Sequence, residues 1–99
     1  MPADSSMPIS QTIPGTITIS ASGQSHVHAF MLQPDCDCSV RFFKADGTTA
    51  LTGLIHIPQY DILTSAMQSN GLLISDSGIK LTVSGNVSGS LNGFVTLNK

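Results

Sequence analysis

An all-β fold, a small antiparallel β-sandwich or barrel of about seven to eight strands, is predicted by three features of this sequence. Ser, Thr and Gly fill 32 of the 99 positions. The charged residues that favour surface helices are scarce, with no Glu, one Arg and three Lys,. Short apolar and polar alternations recur at spacings of roughly ten residues, separated by Gly, Asn, Asp and Pro, which is the pattern of many short strands joined by turns. A chain of this length can build one core and no second domain beside it.

Residues 1–14 differ from the rest. Prolines at positions 2, 8 and 14 and serines at 5, 6 and 10 follow no period of either kind. The prediction is an extended arm, residues 1–14, followed by a single β-sandwich domain, residues 15–99. Proline fixes φ and removes a backbone donor, so such a segment takes its order from what it touches. From Gly15, Ile17 and Ile19 alternate with Thr16, Thr18 and Ser20, the period-2 pattern of a half-buried strand,. A second strand is expected from His26 to Leu32, closed by Gln33-Pro34-Asp35. A third runs from Cys38 to Lys44 and stops at Asp46-Gly47, a pair that tolerates positive φ,. The second and third strands are expected to form a hairpin. An odd register would place Val27, Ala29 and Met31 with Val40 and Phe42, and an even one would place Phe30 and Leu32 there.

Residues Leu51 to Ile57 predict a fourth strand, ended by Pro58. Gln59 to Gln68 could support a single helical turn through Tyr60, Ile62, Leu63, Ala66 and Met67,. After Asn70-Gly71, the apolar run Leu72-Leu73-Ile74 fits a strand buried on both faces. Ile79, Leu81 and Val83 then alternate with Lys80, Thr82 and Ser84, and a last strand from Leu91 to Leu97 puts Val95 and Leu97 on one face and Phe94 and Thr96 on the other,. The predicted core is Ile17, Ile19, Val40, Phe42, Ile55, Ile57, Leu73, Ile79, Leu81, Val83 and Val95.

Function classes narrow on composition. A formal net charge of −2 with scattered cations does not supply the basic stripe that nucleic-acid binding needs,. Neither a membrane-spanning helix nor a signal-peptide apolar core is expected. His26-x-His28 and Cys36-x-Cys38 offer the ligand types of a zinc site. In the expected hairpin, however, His28 lies about 10 Å or more from Cys38 along the strands, far beyond metal-bond reach. A buried thiol at one or both positions is expected instead, since residues two apart in a strand are poorly placed for a disulfide. Asp35-x-Asp37 lacks the glycine and terminal glutamate of a calcium loop. His26, His28 and His56 could act as bases, but among fourteen serines no motif spacing marks a nucleophile,. Trp is absent and Tyr60 is alone, so no broad aromatic platform for a sugar is evident,. No enzymatic activity, cofactor or metal is predicted.

The order of elements from Ile17 to Leu97 resembles a group of small virion proteins of tailed bacteriophages. The resemblance rests on the strand and turn Phe42-Phe43-Lys44-Ala45-Asp46-Gly47-Thr48-Thr49-Ala50, on the alternating segment from Gly71 to Gly85, and on the closing strand Gly93-Phe94-Val95-Thr96-Leu97. Asp61 to Met67 departs from the group's usual Gly/Pro-rich stretch, and the proline-bearing arm is this chain's own feature. The resemblance implies a capsid decoration or cement protein on the outer capsid surface of the virion. It further implies synthesis in the host cytoplasm, the major capsid protein as partner, and assembly with itself as a trimer, without nucleic acid or membrane. Pro2, Met7, Pro8, Ile9, Ile13 and Pro14 are the expected partner-binding residues, together with one sheet face. The alternative is a receptor- or glycan-binding fibre or tail-tip module.

Overall fold

The structure is a computed structural model that describes residues 5–65 and 73–98. Nine strands and no helix are found among the described residues: β1 (Ser5–Ile13), β2 (Gly15–Ser20), β3 (Ser25–Pro34), β4 (Cys38–Phe43), β5 (Ile55–Ile57), β6 (Leu63–Ser65), β7 (Leu73–Ser75), β8 (Ile79–Ser84) and β9 (Gly89–Asn98). They form two antiparallel sheets packed face to face. The first has the order β1-β9-β3-β6, with β7 also pairing with β3, and the second has the order β2-β8-β4-β5. Both sheets fill one core, as a small β-sandwich requires.

Each inner face follows from the alternation. In the first sheet Ile9, Gly93 and Leu32 form one inward row and Met7, Val95 and Phe30 the next. In the second, Ile17, Leu81 and Phe42 lie abreast. Phe30 and Phe42 meet between the sheets with ring centroids 5.5 Å apart, close enough for an aromatic contact to add to area burial,. Ile19, Val40, Phe42, Ile57, Ile79, Leu81, Val83 and Val95 are buried as predicted, while Ile17 and Ile55 are only partly buried against the core. The side chain of Leu73 lies outside the described residues.

Several expectations are corrected. Residues 5–13 are not an arm outside the sandwich. They form the outermost strand of the first sheet, paired along their whole length with β9 from Ser5↔Leu97 to Ile13↔Gly89. Ile9 and Ile13 are buried in the core. Proline is tolerated in an edge strand, where a missing N–H costs no ladder bond if it faces outward, so Pro8 does not prevent pairing. Pro14 alone then carries the chain from the first sheet to the second.

The second and third predicted strands form no hairpin. β3 belongs to the first sheet and β4 to the second, so they face each other across the core. A bulge in β3 between Val27 and Ala29 also changes the parity of the strand. Val27 points inward before it, and Phe30 and Leu32 point inward after it, so neither single register describes the segment,.

The fourth strand is shorter than predicted, covering Ile55–Ile57 only. Residues 51–54 form a loop whose Leu51 N–H donates to Phe42 O at 2.8 Å. Where a helical turn was expected, residues 58–61 form a turn and 63–65 a strand, while 66–68 lie outside the described residues. Ile74 is exposed, so β7 is not buried on both faces. Among the described residues it pairs only with β3 and lies at the margin of the sheet.

Candidate functional site

The six residues expected to bind a partner separate into different environments. Ile9 and Ile13 belong to the core and Met7 packs against it, so none of these is free to anchor another protein. Pro8 and Pro14 are exposed. Pro2 lies outside the described residues.

Pro8 is part of a larger surface that the alternation of β1, β9 and β3 creates. Across the outer face of the first sheet, Pro8, Phe94, Met31 and Thr64 stand side by side. On one side of this row lie Ser10, Asn92 and Gln33, and on the other Ser6, Thr96 and Ala29. Exposed Ile74 continues the face beside His26. Among the described residues it carries no Lys, Arg or Asp. The second sheet differs sharply: Arg41 and Lys80 point outward from β4 and β8, with Lys44 just beyond. Arg41 donates through Nε to Thr52 O at 3.0 Å and lies over the Phe43 ring, while Lys44 pairs with Asp76 at 3.1 Å. Charge is thus segregated away from one broad face.

A second feature lies at one end of the sandwich, where the β3–β4, β5–β6 and β8–β9 connections meet. Asp35 ties the first connection to β9. Its N–H donates to Ser90 O at 3.0 Å, and its Oδ1 accepts from Ser90 N–H at 2.7 Å. Asp37 Oδ1 accepts from Gln59 N–H at 2.7 Å, and Gln59 Nε2 donates to Asp35 O at 3.1 Å. Between these ties runs an open polar groove. One part, of about 320 Å³, is lined by Asp37, Cys38, Ser39, His56, Ser84, Gly85 and Asn86. An adjoining part of about 310 Å³ is lined by Cys36, Asp37, Gln59, Asn86 and Val87.

Ser39 and His56 are cross-strand partners, with Asp37 two residues away. A serine, a histidine and an aspartate therefore share one groove, yet no hydrogen bond joins His56 to either neighbour. A nucleophile and its base need to be wired by such bonds, so the three are not assembled as a relay. Cys36 and Cys38 are buried and not joined in a disulfide. Burial, followed by the nearby Asp35 and Asp37 carboxylates, raises the Cys36 pKa; burial, then Cys36 and Asp37, raises that of Cys38. Both thiols are thereby kept from the reactive thiolate form. No group of three or more metal-ligating side chains occurs among the described residues.

Comparison with protein-family profiles, with curated protein sequences and with solved structures finds no match to this chain. The signal for the neutral face was present in the sequence as the uncharged outward positions of the first and last strands. It became visible only once β1, β9 and β3 were known to be neighbours.

Proposed function

We propose that this chain is a structural protein that acts by binding another protein through the outer face of its first sheet. In light of the resemblance drawn from its sequence, it serves as a decoration or cement protein on the outer surface of a tailed-phage head. The observation that carries this reading is the uncharged face with the row Pro8-Phe94-Met31 at its centre. Such a face can be desolvated against a partner without stranding a charge, the costliest element of interface formation.

The sheet edges are poor alternatives. β1 carries Pro8, β2 has a bulge between Thr18 and Ser20, β5 is three residues long and precedes Pro58, and β6 and β7 are three residues each. These are devices that discourage strand addition. Strand spacing and rise give the neutral face an area of roughly 500–600 Å², below the ~800 Å² that each partner contributes to a standard interface. A single copy would therefore bind weakly, and a trimer gains by multivalency. Binding only the assembled shell would stabilise it by linkage.

Co-sedimentation with tailed-phage heads assembled from a major capsid protein, the proposed partner, tests the reading. The wild type should sediment with heads, Phe94→Lys should not, and Thr82→Lys on the opposite sheet should behave as wild type. Copy number separates this role from the fibre or tail-tip alternative, since a decoration protein occupies every equivalent site on the shell and an adhesin only a few.

A further inference from the structure

We infer that the groove at the loop end of the sandwich is a binding site for a short neutral glycan, independent of the face used for protein attachment. Four side chains that line it, Ser39, His56, Ser84 and Asn86, make no hydrogen bond with the described protein, and they stand around the Asp37 carboxylate. Asp37 spends Oδ1 on Gln59 N–H, which leaves Oδ2 to accept from a ligand hydroxyl. Hydroxyls, an amide, an imidazole and a carboxylate together supply the mixture of donors and acceptors that a polyhydroxylated ligand requires.

The chemistry also selects against other ligands. Among the described residues neither Lys nor Arg lines either part of the groove, while Asp37 lines both, so a phosphate or an acidic sugar would meet a negative charge without a counter-charge,. One carboxylate with no second acid is too few ligands for a divalent cation. A volume of about 320 Å³, extended by a second part of about 310 Å³, accommodates a few sugar rings rather than a long polymer buried throughout,.

A second observation concerns Tyr60, the residue after Gln59. It is the one non-glycine residue at positive φ among the described residues, +61°, and its side chain is 65% exposed. Its backbone is clamped in that conformation on both sides: the N–H donates to Pro34 O at 2.9 Å, and the carbonyl accepts from Gln33 Nε2 at 2.9 Å. A left-handed tyrosine costs conformational energy and persists only where its surroundings over-determine it, a pattern that clusters at ligand sites. The clamp fixes an exposed aromatic residue in the chain directly after Gln59, which lines the second part of the groove, and the amphipathic surface of its ring suits the C–H face of a sugar,. The Asp35–Ser90 and Asp37–Gln59 ties hold the loops in place before binding, which lowers the ordering cost,.

Titration of the ¹⁵N-labelled full chain with maltotriose, cellotriose and N,N′-diacetylchitobiose, followed by amide chemical shifts, tests the inference. At least one should produce saturable shifts confined to residues 36–39, 56–60 and 84–87, with Kd about 1 mM. Asp37→Asn keeps an acceptor for Gln59, and Tyr60→Asn suits the left-handed backbone, so both preserve the spectrum of the folded protein. Each should weaken binding by about tenfold or more. Trigalacturonic acid, the anionic control, should not bind. The inference is overturned if no neutral sugar shifts these amides at about 20 mM, a concentration well above the expected Kd. It is equally overturned if the shifts persist unchanged in both variants, or if the acidic trimer binds as well as the neutral ones.

Discussion

Asp46 shows how a single exposed side chain sets a turn. Its Oδ1 accepts from the N–H groups of Thr48 and Thr49 at 2.8 and 2.9 Å, and its Oδ2 accepts from the Thr49 hydroxyl at 2.8 Å. These bonds favour the charged form and lower its pKa from 3.8 to about 2,. Because the folded pKa lies below the unfolded one, the stabilisation is complete above about pH 4 and is lost as pH falls through about 2,. Asp76, whose pKa is lowered mainly by its hydrogen bond from Lys44, works in the same direction. Denaturation midpoints measured from pH 5 to pH 2, in the window these shifts define, should fall less in Asp46→Ala than in the wild type. Gly93 illustrates the opposite case, a residue chosen by its surroundings. It sits at φ +151° and a Cβ there would collide with Met31 O. Gly93→Ala should destabilise the fold by about 2–4 kcal/mol in chemical denaturation. Gly53→Ala, with open space around it, should be close to neutral. The Asp46-Gly47 turn was legible because its chemistry is local. The requirement at Gly93 was not, since it depends on β3 approaching from elsewhere in the chain.

At the level of elements, the same division explains what the amino-acid pattern revealed. β2, β4 and β8 follow the predicted limits within a residue because β4 and β8 alternate throughout, β2 alternates up to its bulge after Thr18, and each pairs within one sheet. β1 was hidden by its prolines. Pro8 and Pro14 disguise an alternation in which Met7, Ile9 and Ile13 face inward while Ser6, Ser10 and Thr12 face out. The strand's place depends on β9, some eighty residues away, and no local rule reports that pairing. β3 was legible as a strand but not in its partner or parity, because the bulge at Val27/Ala29 breaks the alternation and leaves His28 buried. β1 is therefore a structural strand as well as a carrier of surface residues. Ile13→Ala should cost about 2–5 kcal/mol in unfolding free energy, the range for truncating a fully buried aliphatic side chain. Removal of residues 1–13 should expose β9 and open the core, giving an aggregating chain rather than a folded one with weaker attachment. Size-exclusion chromatography and hydrogen exchange would separate those outcomes.

Across the whole molecule, two sheets present contrasting surfaces. The second carries Arg41 and Lys80, with Lys44 at its margin, whereas the described outer face of the first is uncharged. The low charge visible in the sequence acquires a direction only in the fold, because a one-dimensional pattern cannot tell which strands share a face. The groove was equally hidden: Asp37, His56 and the segment Ser84–Asn86 are far apart in sequence and meet only through the β4–β5 and β4–β8 pairings and the loops that leave them. The radius of gyration, 12.7 Å, matches the ~13 Å of a globular chain of this length, so both features belong to one compact body,. Protein attachment through the neutral face should be weakly sensitive to salt, since no charge pairs are made there. The most direct measurement is the amount of chain that co-sediments with purified heads as its concentration is raised. The wild type and Thr82→Lys should reach saturation at one copy per equivalent capsid site, and Phe94→Lys should remain in the supernatant with an unchanged unfolding midpoint. Equal co-sedimentation by Phe94→Lys, or no co-sedimentation by the wild type, would contradict the assignment of that face.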